Sequence, residues 1–148
     1  MDNVDNNEKG SYNLLKGERD GKPWIAIMRD KFLDYENKSD FNWLLQVHID
    51  AEANNIGLVS DEEAAILNIL EDFLNKKILS VAQMYFVGRI TWNGIRSLYY
   101  YVSDPKPIAE ELNKTISQGQ YTREFQYEIS KDTEWKKILE LVPNVENI

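Results

Sequence analysis

The sequence predicts an α+β fold with a strand, helix, strand, strand, helix, strand core over about residues 41–130. Three observations predict it. Phe41 to Ala51 alternates apolar and polar residues with the period of a strand. Ile66, Leu67, Leu70, Phe73 and Leu74 recur at helical spacing behind Ser60 and Glu63, a capping box. Trp92-Asn93-Gly94 joins two further apolar runs through Asn-Gly, the strongest short-range hairpin signal. This order is the split βαβ, or ferredoxin-like, arrangement. It hosts enzymes, nucleic-acid binders and protein-binding modules alike, so it does not choose a function.

Each element has a local cause. Residues 1–10 are polar and rich in Asn and Asp, and a flexible N-terminus is expected there, followed by one α+β domain over 11–148. Tyr12 to Lys16 and Lys22 to Met28 flank Asp20-Gly21 and predict an added hairpin. In the next strand Phe41, Trp43, Leu45, Val47 and Ile49 share one face. Asn42, Gln46, His48 and Asp50 lie mostly on the other, with Leu44 out of pattern, so a half-buried strand is expected. Asp61, Glu62 and Glu63 suit the positive end of the first helix, and Lys76 and Lys77 suit its C-terminal end. Val81 to Thr91 reads as a strand in which Met84, Phe86 and Ile90 share a parity, with Gly88 marking a bulge or a close backbone approach. Ile95 to Val102 returns through Tyr99-Tyr100-Tyr101. Asp104-Pro105 opens a second helix bearing Ile108, Ala109, Leu112 and Ile116. Arg123 to Ile129 is the last strand. Asp132 or Thr133 caps a short helix with Trp135, Ile138, Leu139 and Val142. Both faces of the Ile95–Val102 strand are apolar or aromatic, so the extra hairpin and helix are expected to extend the sheet or cover its open face.

Composition narrows the function classes. The 148 residues carry no cysteine, which excludes disulfides and thiolate chemistry. The opening MDNVDNNEKG has neither a basic start nor an apolar run, and no stretch approaches the roughly 20 apolar residues of a membrane span. The expectation is a soluble cytoplasmic protein that does not contact membranes. The formal net charge of -8 argues against binding to nucleic acid, which needs clustered Lys and Arg. Residues 41–80 hold seven acids against two lysines, a local charge of -5. Such a surface steers toward a basic partner.

Two sets of candidate residues follow. Asp61, Glu62, Glu71 and Asp72 would supply charge to a protein interface if they lie on the solvent face of the helix, with Trp92, Tyr99 or Tyr101 as aromatic anchors if exposed. Helix capping fully explains Asp61, Glu62 and Glu63 at that spacing and is the favoured reading of them, and the tyrosines suit packing against the terminal elements or a protein interface better than contact with RNA. The alternative centres on His48, the sole histidine, with Asp50, Arg89 and Arg96, as a small-ligand or hydrolase-like site. It requires paired strands to present these groups on matching faces. His48-x-Asp50 lacks the further ligands a metal needs nearby, and Ser60 and Ser97 have no nucleophile motif around them. No cofactor is implied.

The segments AEANNIGLVSDEEAAILNILEDFL, VGRITWNGIRSLYYYVSDP and KDTEWKKILELVP together resemble the DUF695 family, a bacterial family of unknown function, over roughly residues 40–143. That resemblance implies no reaction and no catalytic residues. In acidity and element order alone the chain is also similar to RraB-type proteins, which bind and inhibit an endoribonuclease. The leading expectation is therefore a non-enzymatic protein-binding module, inhibitor or immunity-like, for a basic protein, with self-association through a sheet edge left open.

Overall fold

The computed structural model describes residues 11–119 and 121–143; the flexible N-terminus expected at 1–10 lies outside the described residues. In chain order the elements are β1 (Tyr12–Arg19), β2 (Lys22–Arg29), β3 (Trp43–Asp50), α1 (Asp61–Leu79), β4 (Met84–Trp92), β5 (Ile95–Val102), α2 (Pro105–Gln118), β6 (Phe125–Lys131) and α3 (Lys137–Leu141). Two single 3₁₀ turns, Phe32–Asp34 and Lys38–Asp40, connect β2 to β3. The six strands form one antiparallel sheet in the order β1-β2-β4-β5-β3-β6. Its β4-β5-β3-β6 portion, with α1 and α2 as crossovers, is the ferredoxin-like core.

The hairpin β1–β2 extends this sheet through β2 and β4, so of the two placements open to it the edge is the one adopted. The β4–β5 turn has Asn93 at φ 52° and Gly94 at φ 81°, the type I′ geometry whose twist matches the flanking strands. Ser60 Oγ accepts the Glu63 N–H at 3.1 Å and starts α1. The helix buries Leu67, Leu70, Leu74 and Ile78 against Leu45, Val47, Leu98 and Tyr100 of the sheet, joined by Ile108 and Leu112 of α2. Each such side chain contributes about 1.5–3 kcal/mol by leaving water.

The opposite face carries a second core. Trp135 is fully buried there and stacks on Tyr101 with ring centroids 4.1 Å apart and planes 6° from parallel. Its indole N–H donates to the Phe41 carbonyl at 2.8 Å. Asp132 ties this segment down. Its carboxylate accepts the Tyr101 hydroxyl at 2.7 Å and the backbone N–H groups of Lys136 and Lys137 at 3.0 and 2.8 Å. The helix expected to start at Asp132 or Thr133 and to bear Trp135 begins only at Lys137, with Lys136 at its N-cap; Trp135 sits before it at φ 57°, and Asp132 instead bonds the Lys136 and Lys137 N–H groups from four and five residues back. β3 is consequently buried on both faces rather than one. Leu44, out of pattern in the sequence, is fully buried in this second core, and Phe41 joins it from the loop before the strand.

β4 also departs from simple alternation. The β4–β5 register slips between Phe86 and Gly88, which is a β-bulge. Met84 and Phe86 face the helices, but beyond the bulge Ile90 joins Tyr85 and Val87 in the second core, so the shared parity expected of Met84, Phe86 and Ile90 does not hold. Arg29 on β2, buried at 6 % exposure, donates its Nε to the Phe86 carbonyl at 2.8 Å. At Gly88 a Cβ would meet the Ile27 carbonyl and come within 2.8 Å of the Met28 Cα. Gly88→Ala is therefore expected to cost about 1–3 kcal/mol through forced separation of β2 and β4, measured as a lower urea midpoint at unchanged slope.

One ion pair joins the start of α1 to the start of β6. Glu63, 5 % exposed, accepts Arg123 Nε at 2.9 Å and Nη2 at 2.7 Å, and also the Glu52 backbone N–H at 2.9 Å. The bidentate Arg123 hydrogen bonds hold its carboxyl below the ordinary value of 4.5, against the opposing effect of burial. A carboxyl lowered on folding adds stability that is complete above about pH 4.5 and disappears as the pH falls through its lowered value. Glu63→Gln should therefore flatten the acid limb of the stability curve below that pH, as read by denaturant titrations at stepped pH; an unchanged acid limb would show that Glu63 is not held low.

Candidate functional site

The second core covers only part of its sheet face. Trp135 occupies the row of Leu44, Tyr85 and Tyr101, and α3 ends at Leu141. Farther along β3 and β5 the same face stays open as a hollow of about 380 Å³. Its polar floor is Gln46, His48, Ser97 and Tyr99; its apolar sides are Ile90, Trp92, Ile95 and Leu141; Arg19 and Glu140 stand at the rim. The strand register assembles the floor, because Gln46 lies opposite Tyr99 and His48 opposite Ser97.

Hydrogen bonds fix most of these groups. His48 Nδ1 lies 2.7 Å from Ser97 Oγ, and its Nε2 lies 3.3 Å from an exposed Glu128 carboxylate oxygen. Tyr99 is 4 % exposed, and burial pushes its hydroxyl up to about 12 while a hydrogen bond with Ser97 works in the other direction. Arg19 lies over the Trp92 ring at 5.4 Å, donates Nη2 to the Leu141 carbonyl at 3.2 Å, and its own carbonyl accepts the Trp92 indole N–H at 3.1 Å. Gln46 differs from all of them. It is 7 % exposed, lines the hollow, and its side-chain amide has no hydrogen-bond partner among the described residues. Among the described residues the sealed, unpartnered side-chain polar atoms are Trp24 Nε1, Asn42 Oδ1 and Arg96 Nε, so the Gln46 amide is reached from the hollow.

The quartet expected around His48 is divided between the two faces. His48 and Asp50 lie on the α3 side of β3, and Asp50 is exposed at the end of the strand. Arg96 shares the parity of Leu98 and Tyr100 and points toward α1, and the bulge places Arg89 there too. Arg89 Nη1 contacts both oxygens of Glu71 at 3.1 and 3.2 Å. Arg96 Nη1 donates to Asn68 Oδ1 at 2.8 Å and lies 3.9 Å from Glu71. The matching of faces that a single site would need does not occur, because adjacent positions of a pleated strand point opposite ways.

The proposed protein-binding residues also separate. Asp61, Glu62 and Asp72 are exposed on α1, whereas Glu71 is buried at 6 % exposure against the two arginines. Burial raises the Glu71 carboxyl above its ordinary value of 4.5 although Arg89 and Arg96 oppose it. Tyr99 and Tyr101 are buried, at 4 % and 0 % exposure, and are not surface anchors; Trp92 is half-buried at the edge of the hollow. Gln46 and Arg19 were not singled out by sequence. Gln46 looked like one polar residue on a solvated face, and only the covering of that face by residues 132–142 gives it a cavity. Among the described residues no group of three or more His, Asp or Glu side chains is placed to hold a metal ion, and no helix is long and apolar enough to cross a membrane.

No curated protein and no solved structure matches this chain. The model of the DUF695 family, described as a family of unknown function, matches residues 14–141. That span runs from within the edge strand β1 to the end of α3 and so includes the first core, all of the second but Val142, and the hollow between β3, β5 and α3. By this match over most of its length, the chain belongs to the DUF695 family.

Proposed function

We propose that the protein binds a small, partly apolar organic molecule in the hollow over β3 and β5. The observation that carries this reading is Gln46, whose side-chain amide opens into the hollow and has no protein hydrogen-bond partner among the described residues, facing a volume within the range of small-molecule sites. Ile90, Trp92 and Leu141 would take the apolar part of the ligand, Gln46 a polar atom, and Arg19 any negative charge at the rim. His48 and Ser97, already bonded to each other, offer a further donor–acceptor pair at fixed spacing.

Acidic recognition remains as a second reading. Glu52, Asp61 and Glu62 are exposed around the start of α1, beside Asp50 at the end of β3, while Arg123 is engaged by Glu63 and Glu52. This rim suits steering of a basic protein partner, as for an inhibitor or immunity protein. The likeness to RraB-type inhibitors supports it only by analogy of charge and element order. The edge strand β1, with Leu14 at 59 % exposure, would be the surface for self-association.

A fragment screen on the full chain, read by the side-chain amide resonance of Gln46 and the ring resonances of His48, tests the ligand reading. Fragments that shift both signals should lose about fivefold or more in affinity in Gln46→Leu, which keeps the shape and removes the hydrogen bonds. A screen in which nothing perturbs Gln46 would overturn it. Salt-sensitive capture of a stoichiometric basic protein, lost in the Asp61→Lys, Glu62→Lys variant, would favour the second reading instead.

A further inference from the structure

We propose that the cleft between α1 and the β1–β2 hairpin, on the sheet face opposite the first site, binds a small aliphatic carboxylate through Thr91 and the guanidinium groups of Arg89 and Arg96. The hairpin reaches past the helices, so the helix-side residues of β2, Ile25 and Ile27, form a half-buried floor there. Leu58 and Val59 close one end. They are held by the loop after β3, which docks on the β4–β5 turn. Gly94 N–H donates to the Gly57 carbonyl at 3.0 Å, and a Cβ at Gly57 would come within 2.6 Å of the Asn93 Cα. The enclosed volume is about 170 Å³, small enough to favour a compact ligand.

Three polar groups line it, and two of them, Thr91 and Arg96, hold an atom without a hydrogen-bond partner among the described residues. Thr91 is 8 % exposed, and its hydroxyl has no hydrogen-bond partner among the described residues. Arg96 is 4 % exposed, and its Nε has none. Arg89 and Arg96 together face one buried carboxylate, Glu71, whose two oxygens are both taken by Arg89. Asp72 stands at the outer side of Arg89, exposed in a neighbouring hollow lined also by Tyr12 and Phe86, and does not form an ion pair with either arginine. Glu63 also acts on Arg96 from a distance, but both its oxygens are taken by Arg123, so Glu71 is the one carboxylate within ion-pair reach of the two guanidinium groups. Burial first, and the neighbouring Arg89 second, depress Arg96 to about 10. A carboxylate placed between Thr91 and the arginines would accept a hydrogen bond from the hydroxyl and pair with the guanidinium groups, and its short alkyl group would rest on Ile25, Ile27, Leu58 and Val59.

Titration of the full chain with sodium isovalerate, followed by the arginine Nε–Hε resonances, tests the assignment. A saturable shift of the Arg96 signal is expected, with the Gln46 amide unmoved, which separates this site from the first. Isovaleramide, the neutral analogue, should bind at least about tenfold more weakly, since it cannot make charge-assisted bonds. Thr91→Val, close in shape, should weaken isovalerate about two- to tenfold. No saturable shift, equal binding of the neutral amide, or equal binding of inorganic phosphate, which has no alkyl group, would each overturn the proposal. The amide and phosphate comparisons use the unaltered chain and so hold even if Thr91→Val does not fold.

Discussion

Tyr99, Tyr100 and Tyr101 occupy consecutive positions of β5, so the pleat sends Tyr100 to the helices and its two neighbours to the opposite side. A central strand that is apolar on both faces must be covered on both faces. Tyr100 is covered by α1, where its hydroxyl reaches Asn75 Oδ1 at 2.6 Å. Tyr101 is covered by Trp135 and bonded to Asp132. The ferredoxin-like core supplies helices for one side only, so residues 132–142 are required to build the second core, and the cavity exists because they cover that face incompletely. Removing this cover would expose several aromatic residues at once, and a buried Trp alone contributes about 3–5 kcal/mol.

Charge follows the same logic of layers. The acids of residues 41–80 look like one negative surface in the sequence, yet Glu63 and Glu71 are inside and hold arginines from the loop before β6 and from β4. The carboxylates fasten α1 to β6 at one point and to β4 at another, where partial burial makes a bidentate arginine contact stronger than its surface equivalent. The surface acidity that remains belongs to Asp61, Glu62, Asp72 and the exposed loops. The hollow over β3 and β5 and the cleft beside Thr91 are thus lined apart from these exposed acids of α1.

Much of the architecture was legible because it is local. The Asn93-Gly94 turn, the Ser60 cap and the Asp104-Pro105 helix start are each decided by a few neighbouring residues, and all three occur. Gly88 marked a bulge or close approach, and both are present. The consequence of the bulge was not legible. One additional residue in β4 changes which face Ile90 and Arg89 occupy, and its position depends on pairing with β5. The same holds for Gln46, His48 and Ser97, whose grouping depends on the register between β3 and β5 and on a covering segment nearly ninety residues later in the chain.

The sequence by itself determined the element order, the hairpin turns, the caps of α1 and α2 and most of the membership of strands and helices, since periodicity and capping act over a few residues. Tertiary structure decided which polar residues are enclosed. His48 and Arg96 lie one position apart in register yet on opposite faces, and Glu71 and Asp72 are adjacent yet one is buried and the other exposed. The physical reason is that burial of a side chain depends on what packs above it, and that partner comes from a distant part of the chain whose position is fixed only when the sheet assembles.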